Sequence, residues 1–149
     1  MEIPASLVGL EMGEAVVDVT PRMVLAYAAG IVAEEEIYFD DLRPGGIVAP
    51  PPFIASLEWP IMVAPAYQQA IGATPDTMYD YLVHAFQDTT FHRLIRPGDR
   101  LRTTGRVVQV KQTRPGALVV NLIETRDDRT GQSVARTWFG ALYRNVPAG

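Results

Sequence analysis

Phe53-Ile-Ala-Ser-Leu57-Glu58-Trp59-Pro60-Ile-Met62-Val-Ala-Pro65-Ala-Tyr67-Gln-Gln-Ala-Ile71 carries a single charged residue, Glu58, from end to end. A helix that is apolar on most sides belongs at the centre of a fold, not on its surface. Three prolines, Pro50 to Pro52, stand directly before it. Proline has no N–H and a fixed φ, so it suits the first turn of a helix but not the interior of a helix or of a central strand. The stretch therefore reads as a helix whose first turns run from Phe53 to Trp59. Pro60 and Pro65 predict a kinked or broken continuation to about Ile71.

The residues on either side supply something to wrap around that helix. Tyr79 to Leu94 alternates around Phe86, Phe91 and Leu94 and reads as a strand; Arg96-Pro97-Gly98-Asp99 reads as a tight turn. Asp99 to Thr113 is a second strand, with Gly105 expected to mark a bulge. Arg114-Pro115-Gly116 is a turn, Ala117 to Arg126 a strand, Asp127 to Gly131 a turn, and Gln132 to Arg144 a last strand. Long consecutive strands with short turns make an antiparallel meander. Upstream, Glu14 to Val19 alternates as a short first strand. Thr20-Pro21 is a helix start, with Thr as cap and Pro in the first helical position. Val24, Tyr27, Ala28 and Ile31 follow at helical spacing. Glu34 to Glu36 reads as a polar bend, and Ile37 to Phe39 as a short extended piece. The expected fold class is α+β, a curved antiparallel sheet around one central apolar helix, as a single domain over residues 1–149.

Composition narrows the function. With 48% hydrophobic and 20% charged residues, a packed core is expected and disorder is not. A net charge of −4 argues against a nucleic-acid surface, which needs a basic footprint. No apolar run is long enough to span a bilayer. Met-Glu-Ile-Pro-Ala lacks the basic start and apolar stretch of a signal peptide, so a cytoplasmic protein is expected. Without cysteine there are no disulfides, no thiolate metal sites and no cysteine nucleophile. The two histidines, His84 and His92, lie roughly 27 Å apart on an extended strand at about 3.3 Å per residue, too far for one ion. No metal site is expected.

Two motifs are distinctive in combination: Gly46-Ile-Val-Ala-Pro-Pro-Pro-Phe53, and His84-x-x-Gln87 followed by His92-Arg93-x-x-Arg96-Pro97-Gly98-Asp99. In the order helix, short strand, first motif, central helix, second motif and three strands, the chain resembles the MaoC-like dehydratase family. It is most similar to the N-terminal half of the two-domain, fatty-acid-synthase-like dehydratases. The likeness runs from about Val19 to Val146. It implies the hotdog fold, and a dimer of hotdogs or a heterodimer with a second hotdog subunit. It implies reversible hydration of an enoyl thioester, usually (R)-specific, on coenzyme A or an acyl carrier. In active members an Asp and a His hold a water between them, in a run resembling Gly-Asp-x-Asn-Pro-x-His just after the first helix. No organic cofactor is implied.

The chain departs from the family at that run. Gly30 is followed by Ile31-Val-Ala-Glu-Glu-Glu-Ile-Tyr38-Phe39-Asp40-Asp41, two residues longer and with no Asn-Pro and no His. Tyr38 or Phe39 stands where the histidine belongs. The resemblance then implies a subunit whose partner keeps the pair, while this one widens the acyl pocket. If the chain acts alone, Asp40 and His84 are the first catalytic candidates. The duller readings are a turn or cap for Asp40 and a structural histidine for His84. Gly46, Ile47, Val48 and Ala49 are candidate N–H donors to the thioester carbonyl, with Tyr38 beside them in the substrate site; otherwise they form a tight turn. Phe53, Trp59, Met62 and Tyr67 are core residues or an acyl tunnel. Arg93, Arg96, Arg100 and Arg102 either meet coenzyme A phosphates or line a solvated edge. Two further readings stay open: an acyl-thioester-binding module without turnover, and a thioesterase with Glu58 over the carbonyl. Trp59-Pro60 suggests that Glu58 lies near a helix end.

Overall fold

The computed structural model describes residues 2–72 and 80–149. Its frame is a five-stranded antiparallel sheet of β1 (Glu11–Asp18), β2 (Leu82–Phe91), β3 (Arg100–Thr113), β4 (Gly116–Asp127) and β5 (Ser133–Arg144). The strand order is β1-β3-β4-β5-β2. The meander of the last three strands is as expected, and β2 and β1 close its two sides as edge strands. The chain crosses from β1 to β2 through the helical segment, α1 (Pro21–Gly30), α2 (Ile54–Met62) and α3 (Pro65–Ala70). The expected start of β2 at Tyr79 lies outside the described residues.

Helix α1 begins as its sequence dictates. Thr20 is extended, its hydroxyl accepts from the Met23 N–H at 3.3 Å, and Pro21 takes the first helical position. Tyr27 of α1 then ties down the proline run: its hydroxyl donates to the Pro52 carbonyl at 2.7 Å, and its ring meets Phe53 edge-on at 5.5 Å. That fixes where α2 starts.

The central helix breaks at Pro65 and not at Pro60. Pro60 sits inside α2, and Pro65 opens α3 after the two-residue step Val63-Ala64. The backbone bond that Pro60 cannot make would reach Ser56, and both residues are exposed, so water can serve the freed carbonyl. The buried side of α2 carries Ile54, Leu57, Glu58, Ile61 and Met62. It rests chiefly on β1 and β3. Gly105 of β3 makes that close approach possible. A Cβ there would lie 2.8 Å from Ile61 Cδ1 and 3.0 Å from Met12 Sδ. Gly105 is in register with Ile123; the irregularity in β3 falls between Val107 and Gln109. The glycine thus marks a helix seat, not the expected bulge.

Ile37 to Phe39 is not extended either. Glu36–Tyr38 is a single tight helical turn, with the Tyr38 and Phe39 N–H groups donating to Glu35 and Glu36 carbonyls at 3.1 and 3.0 Å. A three-residue apolar run has no periodicity to separate a strand from a turn. The core has two apolar clusters. One joins Ile61, Tyr67 and Ile71 to Met12, Val107, Ile123 and Tyr143; the other joins Val24, Phe53 and Leu57 to Ile47, Leu101 and Val134. Among the described residues no helix is long and apolar enough to cross a membrane.

Candidate functional site

Seating α2 over β1 and β3 leaves the β5–β2 side of the sheet partly uncovered. A cavity of about 370 Å³ results. Ala55, Trp59, Met62 and Tyr67 form its helical wall; His84 and Gln87 of β2, and Phe139, Ala141 and Tyr143 of β5, form its floor. A second hollow of about 360 Å³ shares Ala55 and Gln87 with it and continues past Tyr27, Pro51, Pro52 and Phe91. A third, of about 580 Å³, shares Pro51 and Pro52 and ends against Val32, Glu34, Glu35 and Tyr38. Sharing these wall residues, the three lie in a row as a shallow trough. It runs from the loop after α1, across the prolines, to the end of the helical segment.

His84 and Gln87 both face this trough, although a spacing of three puts residues of a regular strand on opposite faces. The register of β2 on β5 slips between His84 and Phe86, so Ala85 is an extra residue that turns the following side chains over. His84 stacks on Phe139, ring centroids 4.5 Å apart and planes 20° from parallel. Gln87 donates its amide to the Glu58 carboxylate at 3.0 Å.

Glu58 is the buried charge of the molecule's helical centre. It is 3% exposed, at the fifth position of the nine-residue α2, so it is not near a helix end. Burial pushes its pKa from 4.5 to about 7, opposed by a hydrogen bond from Thr137. It stands behind Gln87, and does not line the cavity itself. Glu58 thus does not face the cavity in the way the thioesterase reading expects.

The other residues singled out from sequence fall in several places. Asp40 is exposed, and its Oδ1 accepts from the Leu42 N–H at 3.0 Å, closing a local turn before Pro44. The cavity that His84 lines includes no residue of the stretch 38–49. Tyr38 belongs to the far end of the trough, in the third hollow. Of the four proposed carbonyl donors, three are engaged within the chain. The Gly46 N–H donates to Arg43 at 2.9 Å, Val48 to Ile37 at 3.1 Å and Ala49 to Ile95 at 2.8 Å. Ile47, Val48 and Ala49 are buried. Of the arginines, Arg93 pairs with Asp99 at 2.8 Å and Asp127 at 3.1 Å, and Arg100 with Asp18 and Asp128. Arg102 pairs with Glu14 and Asp128, and Arg96 donates to the Gly45 carbonyl. The charges of Arg93, Arg100 and Arg102 are matched by carboxylates within the molecule; Arg96 meets only a neutral carbonyl. The Arg-Pro-Gly-Asp motif holds a turn: the Asp99 carboxylate accepts from both Arg93 and the Arg96 N–H. Among the described residues no group of three or more His, Asp or Glu is placed to hold a metal ion.

The trough itself was not readable from sequence, because it is set by which strands α2 covers. No signal in the sequence marks Gln87 as facing with His84, because the extra residue Ala85 sits in a run of ordinary strand residues.

A family model described as the FAS1-like dehydratase domain region matches residues 6–137. No curated protein sequence matches. Solved structures do. The C-terminally truncated HadBC (3R-hydroxyacyl-ACP dehydratase) complex of Mycobacterium tuberculosis aligns with a TM-score of 0.75 at 17% identity, covering 91% of this chain and 96% of that one. The ChsH1-ChsH2 complex of the same organism aligns with a TM-score of 0.71 at 22% identity over 94% and 86%. A MaoC-like dehydratase from Rhodospirillum rubrum aligns with a TM-score of 0.67 at 20% identity, over 93% of each chain. These likenesses establish the hotdog fold.

Proposed function

The chain belongs to the FAS1-like dehydratase domain family, and from that premise we propose that it is the acyl-holding subunit of an enoyl-thioester hydratase, or equally of the reverse 3-hydroxyacyl-thioester dehydratase. One observation carries the reading. An apolar cavity, flanked in turn by two further hollows with shared wall residues, opens beside an edge strand. A pocket of several hundred Å³ with mostly apolar walls and a few polar groups is the usual form of a small-molecule site.

The chemistry divides between what this chain has and what it lacks. Hydration adds a hydroxyl to C3 of the enoyl thioester and a proton to C2. It needs a base to take a proton from water and an acid to return one at C2. It also needs donors aimed at the thioester oxygen, where negative charge develops. This chain supplies apolar walls for the acyl tail. Its loop after α1 offers Tyr38, Glu34 and Glu35 to the trough and no imidazole. The Gly46, Val48 and Ala49 N–H groups are spent inside the fold. A second hotdog chain with an intact Gly-Asp-x-Asn-Pro-x-His run would therefore supply the acid/base pair. Strand β2 suits such a partner: it is a sheet edge, exposed along most of its length, with Val83, Phe86 and Phe91 among its exposed residues. The coenzyme A or carrier form of the substrate fits a cytoplasmic setting.

The test is loss of enoyl absorbance from crotonyl-coenzyme A and longer 2-enoyl homologues. The purified chain alone is expected to be silent; the chain co-purified with a dyad-bearing hotdog partner is expected to turn over. Turnover by the chain alone, abolished by His84→Ala or Asp40→Asn, would make this polypeptide a complete enzyme and overturn the subunit reading. Release of free thiol from saturated acyl-coenzyme A would indicate a thioesterase. Binding without turnover in any combination would leave a non-catalytic acyl-thioester module.

A further inference from the structure

The far end of the cavity is not as apolar as its walls. The register of β2 on β5 orders the lining: Gln87 faces Phe139, His84 faces Ala141, and Leu82 faces Tyr143. Tyr143 therefore lies at the end away from the prolines, and Tyr67 of α3 stands over it. Both tyrosines are almost wholly buried, at 1% and 2% exposure. Behind them Asn121 of β4, 0% exposed, donates its amide to the Tyr67 hydroxyl at 3.3 Å. Tyr67 and Tyr143 pack in one cluster and line the same end of the cavity.

The protons of this cluster do not balance. A hydroxyl offers one proton and accepts at its lone pairs, and a primary amide offers two protons and a carbonyl. Asn121 gives one proton to Tyr67. Among the described residues no acceptor takes the hydroxyl proton of either tyrosine. The Asn121 Oδ1 is also buried without a partner among the described residues. An unmatched buried polar group costs about 1–3 kcal/mol, so groups like these are normally matched by something. Both hydroxyls belong to residues that line the cavity, so the match can come from its occupant.

We propose that the acyl chain held by this protein carries a neutral oxygen, a hydroxyl or a carbonyl, at its far end, bound by the Tyr67–Tyr143–Asn121 cluster. The inference rests on the acyl-holding function proposed above and adds the class of acyl group. A terminal carboxylate does not fit, because among the described residues no Lys or Arg lines the cavity to balance its charge. A plain alkyl terminus leaves the hydroxyl protons unmatched.

The experiment is calorimetric titration of the full chain with matched pairs of saturated coenzyme A thioesters, hexanoyl to dodecanoyl. Each is compared with its ω-hydroxy and terminal methyl-ketone counterpart. The oxygenated member of at least one pair binds about tenfold more tightly, the return of one well-matched hydrogen bond. Tyr67→Phe abolishes that preference, so that the two members of each pair bind alike. Tyr143→Phe serves the same purpose should Tyr67→Phe fail to fold. Plain chains bound as tightly as oxygenated ones at every length would overturn the inference and leave the proposed function standing. A preference unchanged in both tyrosine variants would also overturn it. Failure of every thioester to bind would remove the acyl-holding reading and this inference together.

Discussion

Val32 is a β-branched residue in the left-handed region, with φ at +57°. It ends α1 in the manner usually left to glycine: its N–H donates to Ala29 at 3.1 Å, and the next N–H, of Ala33, reaches back to Ala28 at 3.0 Å. For an L-residue this conformation costs roughly 1–2 kcal/mol. Val32 is 77% exposed, so no buried contact offsets the cost. It borders the trough just after Gly30, at the end of α1. Val32→Gly should raise stability by about 1 kcal/mol in urea denaturation; an unchanged or lower midpoint would show that the strain is relieved some other way. Glu58 makes a second residue-scale prediction. Its folded pKa, about 7, lies above its unfolded value of 4.5, so between these pH values the folded state binds the extra proton. Its contribution is therefore most favourable below pH 4.5, is lost as pH rises through 7, and stays lost above. Relative to Glu58→Gln, the natural protein should lose up to about 3 kcal/mol of stability between pH 4.5 and 8. Thermal melts of both proteins across that range measure it, and parallel curves would mean that Glu58 titrates normally.

At the scale of elements, the fold depends on where α2 sits, and Gly105 decides that. A methyl at Gly105 meets the tips of Ile61 and Met12, both buried. Gly105→Ala should cost on the order of 1 kcal/mol, toward the low end for overpacking because the nearest contact is the Cδ1 tip of Ile61 and the next is the sulfur of an unbranched methionine. Ile61→Val removes the Cδ1 atom that the new methyl strikes. The double variant should therefore be more stable than the sum of its parts, a coupling that a double-mutant cycle in urea would show; strict additivity would place the contact elsewhere. Much of this layer was legible in the chain. Thr20-Pro21 announced α1, the proline run announced the start of α2, and Arg-Pro-Gly-Asp and Arg-Pro-Gly announced two of the turns. What escaped was decided by tertiary contact. Gly105 looked like a bulge because a strand glycine signals close approach without saying by what. Pro60 looked like a break because sequence does not reveal that Ser56 faces water. The Ala85 bulge, which brings His84 and Gln87 to one side, leaves no mark in a run of ordinary strand residues.

At the scale of the molecule, the candidate site was legible mainly as a loss. The run from Gly30 to Asp41, two residues longer than the family motif and without its Asn-Pro and His, could be read as a departure from it. The trough could not, because it arises from a helical segment that covers one half of a sheet and leaves the other open. The two tryptophans happen to report on the two faces. Trp59 lines the cavity, and Trp138 lies on the opposite face of the sheet, beside Phe86, Leu118 and Val120. The most direct test of an acyl chain held between α2 and β5–β2 is therefore intrinsic fluorescence during titration with a long-chain acyl-coenzyme A, against coenzyme A alone. A saturable change should appear with the acyl form only, persist in Trp138→Phe and vanish in Trp59→Phe. A response carried by Trp138, or the same response to coenzyme A alone, would contradict the account.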